Sequence, residues 1–550
     1  MRKTKWMRIL SCSVCLVLVL VLLTGCQSGN NKDKTDAEKD DLLEFEFYRN
    51  YSWDVGKYEF DETNLISKWV MDNKKVKVNF TWPGGSAEDK FNLMVASNTL
   101  PEVIMISRDS TWLNLISDDG LSDKIMPLDD FYNKYEGYRT NVAKETVDFT
   151  RINGKIYGML NWPKQGDWMG YGTGLVINRK IYEELGSPDI STLDGLYEYL
   201  KMVKAADPSI VPFQPASGEV TFGLLWCCFG DGRIPEDTYG IMRKDVDGKL
   251  VHIINDPKFP EFITYLRKLY KEGLISPEYS IEMAEPIMTK LKKQKVAVLC
   301  AVDGINIADS ARSILEAAGR ENPYDCIALP AAPGTDPSTI VSGQSSSVGW
   351  NVICLTQNAN YKDGVYVEGR AEAIYQYLDW VFSNEGQRLM LCGPEGELWQ
   401  GLDENDFPIF KEGKSLNLTS EEMKRLPVGN FMYPGNASYV DSLKNTLFGT
   451  LDPSQREWRV NQQMKFANQL REATEFTGIE SIDDIEISQI YVRADDYWKG
   501  KMVELVVSDD DIDTMIATIK KDLYGNYAYG RYEEYATSVW KENRIKMNLD

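Results

Sequence analysis

Apolar positions along the chain recur with two periods, and the two alternate. LEFEFY (43–48), KVKVNFTW (75–82) and EVIMIS (102–107) are rich in β-branched and aromatic residues and read as strands. Between the last two, AEDKFNLMVASNTLP (87–101) has a short helical pattern that Pro101 stops. Three longer stretches carry a helical stripe. In STLDGLYEYLKMVKAADPS (191–209), Leu193, Leu196, Tyr197, Leu200 and Val203 share a face, and Ser191 or Thr192 is placed to cap the N-terminus. In EFITYLRKLYKEG (261–273), Phe262, Ile263, Leu266, Leu269 and Tyr270 align and Gly273 is the stop. In AEAIYQYLDWVFSNEG (371–386), Ile374, Tyr377, Leu378, Val381 and Phe382 align, and the helix is expected to end at Gly386. Strands separated by helices with one apolar face predict α/β layers, with all three stripes packed into cores.

The N-terminal 41 residues follow a different pattern. Arg2, Lys3, Lys5 and Arg8 precede ILSCSVCLVLVLVLL (9–23), which holds no charge. As a helix this run spans about 22 Å, short of the roughly 30 Å hydrocarbon core, so it reads as a secretory signal over a permanent span. Leu23-Thr24-Gly25-Cys26 resembles the lipobox of bacterial lipoproteins. By that resemblance residues 1–25 are removed and Cys26 carries the lipid. QSGNNKDKTDAEKDD (27–41) has too little apolar surface to order itself and reads as the rest of a flexible tether over 26–41, with folded structure from Leu42.

Charge and composition narrow the chemistry. The formal net charge of −22 argues against nucleic acid as a partner and gives no grip on anionic headgroups, so a lipid on Cys26 would do the anchoring. Cys12 and Cys15 fall in the leader, which makes their CxxC spacing a false motif; Cys227, Cys228, Cys300, Cys326, Cys354 and Cys392 sit mostly in apolar runs and read as free core thiols. A single histidine, His252, with no G-x-S-x-G segment, speaks against a hydrolytic triad, and multi-histidine zinc sites are excluded by count. Gly413-Lys414-Ser415 has the tail of a phosphate loop, but Pro408 stands where its first glycine belongs. DVDG (245–248) and DENDF (403–407) lack full calcium-loop spacing and read as hairpin turns. No pair of carboxylates is singled out for glycoside hydrolysis. No enzyme activity or cofactor is expected, and the residues leave a structural calcium open.

What stands out is aromatic residues beside polar ones in loop-like segments: RNYSWD (49–54), SRDSTW (107–112), NWPKQGDWMGYG (161–172), LLWCCFGDG (224–232), SSSVGWN (345–351) and PEGELWQ (394–400). An indole face covers the C–H side of a pyranose while a neighbouring polar group takes its hydroxyls. The candidate stacking residues are therefore Trp53, Trp112, Trp162, Trp168, Trp226, Trp350 and Trp399, and the candidate hydroxyl partners Arg108, Asp109, Asp231, Asp303 and Glu395.

FNLMVASNTLPEVI (91–104), MPLDDFYNKY (126–135), INGKIYGM (152–159), GLVINRKIYEELG (174–186), LRKLYKEGLISPEY (266–279), YLDWVFSNEGQRLMLCGPEGELW (377–399) and the tail over 509–544 occur in an order and spacing that resemble the extracellular solute-binding proteins, family 1, which deliver sugars to ABC importers. Within that family the long lipoproteins of Gram-positive bacteria are most similar. One departure is Ile177 before Asn178, where many members have Tyr-Asn. The resemblance implies a two-lobe, periplasmic-binding-protein-like α/β fold of type II with a multi-crossing hinge, the lobes being 42–162 plus 305–386 and 163–304 plus 387–550. It further implies a monomer at the outer face of the cell membrane, anchored through its lipid, with an oligosaccharide ligand and ABC permease subunits as partners. A surface glycan-processing enzyme, an adhesin, or a receptor of the same fold for peptides or another solute are the alternatives the residues leave open.

Overall fold

A computed structural model describes residues 42–549 apart from 52–55, 57, 109–123, 164–173, 216–221, 235–242, 245–246, 281–283, 302–303, 346, 350, 417, 450–457, 464, 466–468, 480–481 and 483. The leader, Cys26 and the tether lie outside these residues, as do Trp53, Asp109, Trp112, Trp168, Asp303 and Trp350.

The strands expected at 43–48, 75–82 and 102–107 form as β1 (Leu43–Arg49), β2 (Val76–Thr81) and β3 (Val103–Ser107). They are followed by β4 (Met159–Asn161), β5 (Leu175–Asn178), α1 (Leu193–Ala206), β6 (Val211–Pro215), α2 (Phe259–Lys271), β7 (Val296–Cys300), β8 (Tyr324–Ile327), β9 (Gly343–Ser345) and β10 (Asn351–Leu355). A short hairpin, β11 (Tyr361–Lys362) and β12 (Val365–Tyr366), leads into α3 (Arg370–Phe382) and α4 (Asn384–Cys392). Beyond these come β13 (Leu470–Glu472) and three helices, α5 (Ile485–Val507), α6 (Ile512–Gly525) and α7 (Gly530–Lys546).

Two sheets define two lobes. The first has the order β2-β1-β3-β10-β4, with β1 and β3 parallel and β10 antiparallel to both β3 and β4. β3 and β10 are buried almost throughout, as strands covered on both faces must be. The second sheet has the order β8-β5-β7-β6, with β6 and β7 parallel. Its core joins α1, α2 and the three C-terminal helices through Leu200, Phe213, Trp226, Phe262, Trp498 and Tyr532. Arg267 of α2 donates from Nε (3.1 Å) and Nη2 (2.8 Å) to the carbonyl of Leu505, satisfying an acceptor that the end of α5 leaves open.

The three helical stripes are buried as the periodicity predicts. Thr192 caps α1, accepting from the Gly195 N–H at 3.0 Å, and Gly273 ends the α2 turn in left-handed backbone. The expected stop at Gly386 is corrected. The helix ends at Phe382, and Ser383 caps a new one, α4, accepting from the Gly386 N–H at 3.2 Å. Gly386 is glycine for close approach: a Cβ there would stand 2.1 Å from the Trp380 carbonyl.

Pairing also redraws the lobe boundaries. The segment 305–345 was expected in the first lobe, yet β8 pairs antiparallel with β5 in the second sheet. The segment after 386 was expected in the second lobe, but Gln387 donates to Val381 O (2.7 Å) and Pro434 O (2.9 Å) and so ties 387–436 to the first. β4 and β5 belong to different sheets, and so do β8 and β10, so the chain leaves the first lobe after β4 and returns to it by β10; β13 pairs parallel with β9.

The cysteines Cys227, Cys228, Cys300, Cys326, Cys354 and Cys392 are free and buried. Hairpins form around 243–251 and 399–410; in the latter Asp403 accepts from the N–H groups of Asn405 (2.8 Å) and Phe407 (2.9 Å). His252 is buried against Trp498 and Tyr529, and its Nδ1 accepts from the Ile254 N–H at 3.1 Å. Burial, with Lys520 nearby, lowers its pKa to about 3, so it stays neutral and structural. Among the described residues no cluster of His, Cys, Asp or Glu could hold a metal ion, and no helix is long and apolar enough to cross a membrane.

Candidate binding edge of the first lobe

In an open α/β sheet, ligands are taken at the edge where the parallel strands end. In the first sheet that edge is marked by Arg49, Ser107 and Asn161 at the ends of β1, β3 and β4, with Asn351 opposite Ser107 and Asn161 at the start of β10.

Aromatic rings and guanidinium groups converge there. Arg49 lies with Cζ 4.9 Å from the ring centre of Trp82, 4.5 Å from Tyr433 and 5.5 Å from Phe80, so one buried cation orders three rings. Trp82 and Tyr433 are half-buried. Tyr51 and Ser107 share a hydrogen bond of 3.1 Å. Tyr48 donates to Asn50 Oδ1 at 2.9 Å, and burial pushes its phenol pKa up to about 12, so it acts only as a neutral donor.

Trp162 follows directly on β4 in left-handed backbone, φ +57°, a conformation a bulky residue adopts only where its surroundings enforce it. Its N–H donates to Gly435 O at 2.9 Å, while the Gly435 N–H donates to Asn161 Oδ1 at 2.6 Å. The indole lies over Gly435 so closely that a Cβ would stand 2.5 Å from Cε2. Gly349 packs on the same strand end, where a Cβ would be 2.2 Å from Asn161 O, and its own carbonyl accepts from Arg108 Nη2. The loop bearing Tyr433 is fixed from below by Gln387, whose Oε1 accepts from the Asn436 N–H at 3.1 Å, and by Asn436, whose Nδ2 donates to Phe382 O at 3.2 Å.

Of the residues anticipated from sequence, Arg108 and Trp162 meet at this edge. Trp226 does not. It is fully buried in the second lobe, its ring against Phe229, Phe259 and Phe262, with Arg233 Cζ 5.1 Å above it, so it is a core residue with no face for a ligand. Trp399 is likewise buried, donating from Nε1 to Gly393 O at 2.9 Å. Glu395 braces the same turn, accepting from the Gly401 N–H at 2.8 Å and Gln400 Nε2 at 2.9 Å. Asp231 is exposed between Gly230 and Gly232 in a run of three left-handed residues and pairs with Arg233 at 3.0 Å; Arg233 is held in turn by the buried Asp256.

Arg49, Trp82 and Tyr433 were not anticipated. A signal for them exists: Trp82-Pro83, Trp162-Pro163 and Tyr433-Pro434 are aromatic–proline pairs in FTWPGG, NWPK and FMYPGN, and all three arrive at one edge.

A family profile described as bacterial extracellular solute-binding protein matches residues 61–388. Lipoprotein LipO of Bacillus subtilis is 24% identical over 462 residues, covering 82% of this chain and 83% of LipO. The fructooligosaccharide ABC transporter substrate-binding protein FusA of Streptococcus pneumoniae is 22% identical over 559 aligned positions, covering 93% and 94%. The structure of an EF-hand mutant of FusA in complex with fructo-nystose superposes with a TM-score of 0.63 at 19% identity, covering 91% of this chain and 99% of FusA. A solute-binding protein from Bifidobacterium longum infantis described as binding HMO gives a TM-score of 0.62 at 15% identity, covering 91% and 98%. The two-lobe fold is shared with these structures, and the profile match takes in more than half of the sequence: this chain belongs to the bacterial extracellular solute-binding protein family.

Proposed function

We propose that this protein is a lipid-anchored extracellular receptor that captures an oligosaccharide between its lobes and delivers it to an ABC transporter permease. The observation that carries the reading is the edge itself: Trp82, Trp162 and Tyr433 supply ring faces, while Arg108 and Ser107 stand among them as polar groups. Stacked rings between hydrogen-bonding groups match the two-sided chemistry of a sugar ring. The fructooligosaccharide and HMO specificities named for FusA and the Bifidobacterium protein support the same ligand class.

The binding step needs no covalent chemistry. Ligand seated on the first-lobe edge favours the closed arrangement by as much as it binds that arrangement better. The leader pattern ending at Cys26 supports anchoring at the outer face of the membrane.

Thermal unfolding of the chain from Cys26 onward, against fructooligosaccharides, milk oligosaccharides, N-glycan fragments and peptides, tests the reading. At ligand equal to 100 times Kd, binding adds about 2.7 kcal/mol and raises the midpoint. A rise with one glycan class, and intact glycan recovered afterwards, is the expected result. A rise only with peptides would overturn the carbohydrate assignment, and released reducing ends would overturn the receptor assignment. Cys26→Ser should release the protein from cells into the medium.

A further inference from the structure

The β11–β12 hairpin stands out on the first lobe because it shows apolar side chains to solvent on a well-formed turn. Asp363 and Gly364, both at positive φ (52° and 77°), form its two-residue turn, and Tyr361 and Tyr366 face each other across it with ring centres 5.8 Å apart. Its base is latched by the Val367 N–H donating to Asn360 O at 2.8 Å. Nevertheless Tyr361 is 43% exposed, Val365 65%, Tyr366 60% and Val367 39%. Together they offer on the order of 300 Å² of side-chain surface, the size of the largest apolar patch on a typical monomer.

Its place in the fold says what it meets. β10 runs from the binding edge at Asn351 to Leu355, and Thr356 then bonds Pro101 O at 2.6 Å; the hairpin therefore lies at the opposite end of the sheet, roughly 15 Å or more from the edge. That end is where the chain enters the lobe. Lys77, Asn79 and Lys362 of the hairpin together hold the Glu44 carboxylate below its usual range. The charges around the hairpin are largely paired within the lobe: Lys77 with Glu44, Lys134 with Glu372, and Arg370 with Glu102. Lys362 and Asp363 at its tip cancel. A strongly acidic protein thus presents, beside its entry point, a tip of tyrosine and valine whose own charges balance and which is flanked by one exposed acid, Glu368, a composition close to that which settles at a bilayer interface.

We propose that this hairpin rests in the headgroup region of the membrane, a contact that turns the binding edge of the anchored receptor away from the lipid between encounters with the permease. The inference rests on the lipid-anchor reading, since the anchor supplies the local concentration that so small a patch needs.

The test uses the lipid-bearing chain in vesicles of phosphatidylethanolamine and phosphatidylglycerol. Lys362→Cys gives one accessible thiol, because the six cysteines of the folded part are buried. An environment-sensitive fluorophore there should shift to the blue and be quenched by lipids spin-labelled near the headgroup. Both signals should be lost on adding Tyr361→Ser, Val365→Ser and Tyr366→Ser, which leave oligosaccharide-induced stabilisation unchanged. Protein that floats with the vesicles but shows no quenching overturns the hairpin contact and leaves the anchor intact. Protein that fails to float overturns the anchor and the contact with it. Quenching-free protection of the fluorophore that needs the permease, or that grows with protein concentration alone, assigns the hairpin to the permease or to a second copy and overturns the membrane contact.

Discussion

Gly435→Ala isolates the working of the proposed edge. Gly435 is not in left-handed backbone, so alanine is acceptable to the main chain, and its effect comes from space alone. The added methyl would stand 2.5 to 2.8 Å from Cε2, Cδ2 and Cζ2 of Trp162, well inside contact distance, and the ring must leave its seat. Overpacking of this kind costs about 1–3 kcal/mol of stability. A stacking tryptophan at the centre of a binding site contributes about 2 kcal/mol, or about thirtyfold in Kd. Isothermal titration with the oligosaccharide that stabilises the wild type most should therefore show Trp162→Ala weakened about thirtyfold and Gly435→Ala at least about tenfold. The decisive arm is the double variant. If Gly435 acts only by seating the indole, adding Gly435→Ala to Trp162→Ala costs nothing further, and the cycle is non-additive by most of the 2 kcal/mol. Wild-type affinity in Gly435→Ala, or the same loss in both backgrounds, would refute the assignment.

Trp226→Ala removes a ring packed among three phenylalanines and should lower stability by about 3–5 kcal/mol in urea, with sugar affinity of the folded protein unchanged. Gly386→Ala drives a methyl into the Trp380 carbonyl and should destabilise by about 1–3 kcal/mol, more than Ser383→Ala, which loses one cap at about 1 kcal/mol. His252 has a folded pKa of about 3, below its ordinary 6.5, so the stability it contributes is full above pH 6.5 and drains away as the pH falls towards 3. The loss is on the order of 2 kcal/mol by pH 5, and denaturation curves of His252→Phe between pH 7 and 5 should lack that component. A variant with the same acid sensitivity as the wild type would show that other groups govern it.

The local pattern was legible and the long-range pairing was not. The stripes of α1, α2 and α3 depend on i, i+3 and i, i+4 spacing, which the chain displays directly. Whether YDCI at 324–327 joins the first sheet or the second depends on its pairing with Leu175–Asn178, nearly 150 residues away, and nothing in four residues encodes that choice. Gly386 looks like a helix stop because glycine commonly is one; its actual constraint is the Trp380 carbonyl, a contact made only once the chain has turned at Ser383. The same holds at the binding edge. LLWCCFGDG and NWPKQGDWMGYG both place tryptophan next to polar residues, yet Trp226 faces inward from a short helix while Trp162 sits just past a strand end. The distinguishing feature was the proline after the ring, shared by Trp82, Trp162 and Tyr433, which marks the end of a strand or loop just as the aromatic side chain is presented.

The multiple passages between lobes bear on how such an edge stays precise. Tyr433 arrives on a segment that follows β10 by some 80 residues, and it must register against Trp82 and Trp162 from the first 162. The registration runs through buried amides: Asn161 takes the Gly435 N–H, Gln387 takes the Asn436 N–H and gives to Pro434 O, and Asn436 gives to Phe382 O. Each of these groups is buried, so each bond that fails leaves a polar atom without water, at about 1–3 kcal/mol. The edge is in this way built before any ligand arrives. In the proposed receptor, ligand binding energy need not order the first lobe and can act on lobe closure instead, where moving an equilibrium from 1:99 to 99:1 requires about 5.5 kcal/mol of preference for the closed state. An oligosaccharide spanning both lobes can supply that preference through stacking and hydrogen bonds on the second lobe, whereas one sugar ring held by the first-lobe edge alone binds without closing the protein.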